Sequence, residues 1–124
     1  VISELLHAII SLREDGKPLT VEAGIVRVAD ALDMSEGRSR IPYMAGKSDI
    51  HSISAAAINS IKISEGELKP IRIEVYMNNS SGVFQVDELL KKKLKGSGLE
   101  KYITIVAKIV GKEKQLLKEL SINL

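Results

Sequence analysis

Cysteine and tryptophan are absent from this chain of 124 residues, phenylalanine occurs once, and tyrosine and proline occur three times each. Without cysteine there is no disulfide, no thiolate metal site and no cysteine nucleophile. With aromatic residues at 3%, the core has to be built from aliphatic side chains. No run approaches the roughly 20 consecutive apolar residues that cross a bilayer. No basic segment followed by an apolar stretch and a small-residue cleavage site marks a signal peptide. These absences predict a soluble, cytoplasmic protein with no membrane partner. What is present is the composition of a folded protein, 44% hydrophobic and 27% charged with a net charge of +2. That balance excludes a disordered tail, and the length suits one domain or one domain with a small appendage.

Charge is uneven along the chain. Residues 1–60 carry six Lys/Arg against eight Asp/Glu, and residues 61–124 carry twelve against eight. The excess gathers in Lys91-Lys92-Lys93, Lys95, Lys108, Lys112, Lys114 and Lys118. Such a cluster attracts nucleic acid in some proteins. No aromatic residues for base stacking stand beside these lysines, so they read as a solvated helix face and nucleic acid is not an expected partner.

The first half is helical. Ile2, Leu5, Leu6, Ile9 and Ile10 recur at helical spacing with no cap before them, since Val1 is a poor N-cap. The chain starts without methionine on a helix already under way, which predicts the C-terminal piece of a longer protein. It also predicts a homo-oligomer that covers the apolar face of residues 2–10. Glu14-Asp15-Gly16-Lys17-Pro18 breaks the helix. Thr20 then stands as N-cap of a second helix over 21–34, with Glu22 favourably placed in its first turn. Its core face is expected to be Val21, Ile25, Val28 and Leu32. Asp30 is the odd residue, a carboxylate among Val28, Ala29, Ala31 and Leu32, where burial is costly unless the charge is paired or bound to metal. A structural role, as an ion pair with Arg27 or at an exposed helix edge, and a functional role account for it equally well. Gly37 marks a helix end. Arg38 and Arg40 beyond it suit phosphate oxygens through their bidentate forks, or pair with Glu36 and Asp49 at the surface.

From about Ala57 the pattern becomes extended. Ile58–Ile63 and Pro70–Met77 form a hairpin across the turn Ser64-Glu65-Gly66-Glu67, with Ile71, Ile73, Val75 and Met77 on one face. Asn78-Asn79-Ser80-Ser81-Gly82 caps a helix from about Val83 to Lys95, which Gly96 ends. A strand follows over 103–110, and a last helix from Lys112 to Leu120. Free amides at a helix start also make an anion site. The lysine of a phosphate loop is missing, so Asn78–Gly82 reads as a cap, and Gly96-Ser97-Gly98 reads as a turn.

The segment Val26-Arg27-Val28-Ala29-Asp30-Ala31-Leu32-Asp33-Met34-Ser35-Glu36-Gly37-Arg38 resembles the last motif of the HD-superfamily metal-dependent phosphohydrolases. Ser39-Arg40-Ile41-Pro42, Asp49-Ile50-His51-Ser52-Ile53-Ser54, Ser81-Gly82-Val83-Phe84-Gln85-Val86 and Gly96-Ser97-Gly98-Leu99-Glu100 resemble a mostly archaeal branch of it. Pattern and resemblance together predict an α+β chain: the resemblance implies the helical C-terminal part of an HD-type domain with a connecting loop over 1–50, and the change of pattern gives a small β-β-α-β-α domain over 51–124. It implies a divalent metal ion in the complete protein, with Asp30 as the late aspartate ligand and His7 as a weaker candidate for a second metal or for phosphate. Asp33 would act as an acceptor behind the ligand or simply lie at the surface, and Arg38 and Arg40 would bind substrate. The substrate would be a phosphorylated small molecule or a nucleotide. The family's early histidine and its His-Asp pair have no counterpart, because the only histidines are His7 and His51 and neither precedes an aspartate. The chain alone is therefore expected to be inactive. A metal held by imidazole and carboxylate lowers the pKa of bound water and neutralises a phosphoryl oxygen. The competing expectation is a non-catalytic α+β module for binding or dimerisation.

Overall fold

The computed structural model describes residues 1–13, 15–34, 54, 56–110 and 120–122. Alternation of apolar and polar residues in the second half gives strands, as expected. β1 (Ile58–Glu65) and β2 (Ile71–Met77) form the antiparallel hairpin, with Ile61 opposite Val75 and Ile63 opposite Ile73. β2 and β3 (Ile103–Ile109) run parallel, with Ile73 beside Ile105 and Val75 beside Ala107. A parallel pair requires a crossover. It consists of a 3-10 turn at Ser80–Gly82, a π-helical stretch at Gln85–Lys91 and an α-helical turn at Lys92–Leu94, together termed the connecting helix. The Asn79 side chain accepts from the Ser81 N–H at 3.0 Å and caps its start. Gly96 and Gly98 end it with φ of 79° and 83°, a left-handed backbone that glycine adopts without strain.

β4 (Leu120–Ile122) pairs antiparallel with β3 and completes the order β1-β2-β3-β4. Leu120 is thus in a strand, where the sequence predicted the end of a helix; the rest of that predicted helix lies outside the described residues. The connecting helix lays Val86, Leu90 and Leu94 on the sheet. Their four-residue spacing stays in line because the wider i→i+5 turn of a π-helix rotates less per residue. These three join Ile58, Ile73, Val75, Met77, Ile103, Ile105, Ala107 and Ile109 in one aliphatic core, as the scarcity of aromatics requires.

Two helices precede the sheet, α1 (Ile2–Ile10) and α2 (Val21–Leu32). Thr20 Oγ1 accepts from the Ala23 N–H at 3.1 Å, the cap expected from sequence. The core face of α2 is a correction to the sequence reading. Val28 is buried and Leu32 packs partly buried against the core, but Val21 is 63% exposed and Ile25 52% exposed, while Ala23, Gly24, Arg27 and Ala31 are buried as well. Gly24 explains this rotation. A Cβ on it would sit 2.3 Å from the Ser97 carbonyl oxygen, so the small-residue edge of α2 is the one that fits against the turn after the connecting helix. Arg27 adds to it by reaching back across α1. Its Nη1 donates to the carbonyls of Ser11 and of Arg13, the latter at 2.7 Å, which places a cation on the C-terminal end of α1. Val28, Ala31 and Met34 then enter the same core as the sheet. Ile2, Leu5, Leu6, Ile9, Ile10, Leu19, Val21 and Ile25 remain exposed along the helix pair.

Candidate functional site

Asp30 lies in the last turn of α2, where that helix meets the connecting helix. Its carboxylate accepts from Lys93 Nζ, and the two side chains are 30% and 22% exposed. The sequence raised Arg27 as the partner; the structure gives Lys93, 63 residues away in the chain. Arg27 instead points to the end of α1. The charge at position 30 is thus half-buried and balanced, which removes the cost of desolvating it alone. Asp33 is the C-cap of α2, and its N–H donates to the Asp30 carbonyl at 3.2 Å.

His7 is elsewhere. Its Nε2 accepts from the Leu19 N–H at 2.9 Å and anchors the approach to α2. Nine residues of helix separate Val21 from Asp30, roughly 14 Å at 1.5 Å per residue. The fold thus brings Asp30 and Asp33 together and leaves His7 at the other end of α2. Arg38 and Arg40 lie outside the described residues. Among the described residues no group of three His, Cys, Asp or Glu side chains could hold a metal ion. One carboxylate paired with a lysine and one imidazole nitrogen already accepting an N–H do not by themselves fit a metal centre.

The lysine run reads as pairing chemistry along the connecting helix. Lys91 meets Asp87 at 3.3 Å and Lys92 meets Glu88 at 2.6 Å, both one turn back, while Lys93 turns inward to Asp30.

A second polar cluster sits on the sheet face turned away from the helices, and sequence reasoning missed it. Glu74 at the middle of β2 is 7% exposed. Its Oε2 accepts from the Tyr76 hydroxyl at 2.7 Å, and its Oε1 accepts from Arg72 Nε at 2.9 Å and Lys108 Nζ at 3.0 Å. The alternation Arg72, Glu74, Tyr76 signals one shared face. Lys108 joins only because β3 pairs with β2 in a register that sets it beside Tyr76. The Tyr76 hydrogen bond, then those of Lys108 and Arg72, lower the Glu74 pKa from 4.5 to about 2. The same bond to Glu74 raises the Tyr76 pKa. A carboxylate ionised at neutral pH and saturated by three donors is no general acid. Its work is to lock β2 against β3.

Glu74 stabilises the fold above its unfolded pKa and loses that contribution as pH falls from about 4.5 toward 2. Denaturant titrations are expected to show this acid loss in the native chain and to show it flattened in Glu74→Gln. At neutral pH that variant is expected to be about 2 kcal/mol less stable, since two cations lose a buried acceptor charge.

No helix among the described residues is long and apolar enough to cross a membrane. No protein-family model matches the chain, and no solved structure matches it significantly. It is 48% identical over 120 residues to the uncharacterized protein MJ1020 of Methanocaldococcus jannaschii, a match that covers 97% of this chain and 46% of that protein, so the chain spans less than half the length of this relative.

Proposed function

We propose that the complete protein is a metal-dependent phosphohydrolase of the HD superfamily, acting on a phosphate ester or nucleotide, and that Asp30 is one of its metal ligands. The observation that carries this reading is the placement of Asp30. A half-buried carboxylate stands in the seam between α2 and the connecting helix, within the segment Val26–Arg38 that resembles the superfamily's last motif. The remaining ligands belong to a longer protein, in keeping with a relative more than twice as long as the matched segment. The exposed aliphatic face of α1 and α2 supports the same view, as an apolar surface of that extent marks an interaction site.

The test is hydrolysis of a panel of nucleotides, cyclic nucleotides and simple phosphate esters by the longer protein. Activity is expected with an added divalent ion, lost on chelation and restored by the metal, and absent from the 124-residue chain. Absence of metal-dependent turnover from the longer protein on the whole panel overturns the reading. The second reading, a non-catalytic α+β module for binding or dimerisation, is favoured by one pair of contacts: Asp30 is held by Lys93 and His7 by the Leu19 amide.

A further inference from the structure

We propose that two copies of this chain join through the free edge of β1, antiparallel about Ile63, so that their sheets form one continuous eight-stranded sheet. The inference is independent of the phosphohydrolase reading. β1 is the outermost strand of the sheet, and among the described residues no strand pairs with its outer side.

The hairpin fixes which backbone groups face outward. Gly66 N–H donates to the Pro70 carbonyl at 3.1 Å, which makes 66 and 70 a hydrogen-bonded pair. Antiparallel pairs alternate in type along the ladder. In the β1–β2 register Ser64, Lys62 and Ser60 therefore turn their backbone groups toward Arg72, Glu74 and Tyr76. Ile61, Ile63 and Glu65 turn theirs away from β2. The irregularity that blunts many edges is confined to Ile58/Ser60, and no proline interrupts Ser60–Glu65.

A second β1 strand fits this edge in few registers. Outward groups must face outward groups, and each face of the sheet must continue into the same face of the partner. Setting Ile63 opposite Ile63 satisfies both conditions. It sets Ile61 opposite Glu65 and Lys62 opposite Ser64. Sliding to the register that opposes Ile61 and Ile63 would put Lys62 directly against Lys62, which like charge disfavours. The chosen register also covers Ile63, an aliphatic side chain 62% exposed on the helix-bearing side of the sheet. The partner this edge fits is a second copy of itself.

The absence of native cysteine permits a clean test on the full chain. Ile63→Cys places two sulfurs across the symmetry axis, where Cα atoms of a hydrogen-bonded pair lie ~5.5 Å apart, within disulfide reach. Glu65→Cys is displaced by four residues from its counterpart, ~14 Å along the strands, beyond that reach. Sedimentation equilibrium across a micromolar range is expected to show a dimer. Mild oxidation is expected to cross-link Ile63→Cys quantitatively and Glu65→Cys not at all. Ile63→Lys, at an exposed position, is expected to keep the fold and to sediment as a monomer. A native chain that stays monomeric, a dimer that persists in Ile63→Lys, or equal cross-linking at 63 and 65 each overturns the proposal.

Discussion

Asp30→Ala is expected to abolish metal-dependent phosphate-ester hydrolysis by the longer protein while leaving its fold intact. A change behind a metal ligand costs about 10–100-fold in affinity or activity, and loss of the ligand itself costs more. Asp33→Asn is therefore expected to fall within that ~10–100-fold range, and Asp30→Ala below detection. The contact between Asp30 and Lys93 gives the control. If Asp30 serves only to balance Lys93, then Asp30→Ala and Lys93→Met shift the melting temperature alike and neither removes activity or bound metal. If Asp30 is a ligand, only its replacement strips metal from the purified protein. Lys93, 22% exposed, then loses its partner, so Asp30→Ala is expected to lower the melting temperature of a protein that still folds, and bound metal rather than stability separates the two roles. Full turnover by Asp30→Ala with metal present would leave the binding-module reading standing.

How much of this was legible beforehand depended on how local each cause was. β2 was legible because Ile71, Ile73, Val75 and Met77 alternate with polar residues over the whole strand, and β3 because Ile103, Thr104, Ile105 and Val106 make a β-branched run. The caps at Thr20 and Asn79 and the turn at Gly96 were legible because each involves residues within one turn of helix. The core face of α2 was not. Aliphatic spacing nominated Val21 and Ile25, but the buried edge is Ala23, Gly24, Arg27 and Ala31. That edge is chosen by a carbonyl at Ser97 and by carbonyls at Ser11 and Arg13, which no scan of residue hydrophobicity can weigh. The same holds for charge. Asp30 was visible as an anomaly from its neighbours, but Lys93 was not visible as its partner. Glu74 carried no anomaly at all, because a polar residue in an alternating strand looks solvated until β3 brings Lys108 beside it.

Leu90→Ala is expected to cost the 124-residue chain about 3 kcal/mol, and Leu5→Ala less than about 0.5 kcal/mol, although both delete the same atoms from a helix. Leu90 is fully buried between the connecting helix and the sheet, whereas Leu5 is 60% exposed. Removing Leu90 loses the transfer energy of its methyl and methylene groups and opens a cavity in the close-packed core. At roughly 4 °C per kcal/mol for a chain of this size, the melting temperature is expected to drop by about 12 °C. Removing Leu5 from the chain alone takes apolar surface out of water rather than out of a core. The comparison gains its force when repeated on the longer protein. There the aliphatic face of α1 has to be covered if the helical half belongs to a larger domain, and Leu5→Ala is then expected to cost about 2 kcal/mol or more, as a buried leucine does. A Leu5→Ala cost that stays near zero in the longer protein shows that α1 keeps its apolar face in water or in a separable oligomer. That result would remove the packing support for the larger helical domain while leaving the Asp30 result to be judged on metal and turnover alone.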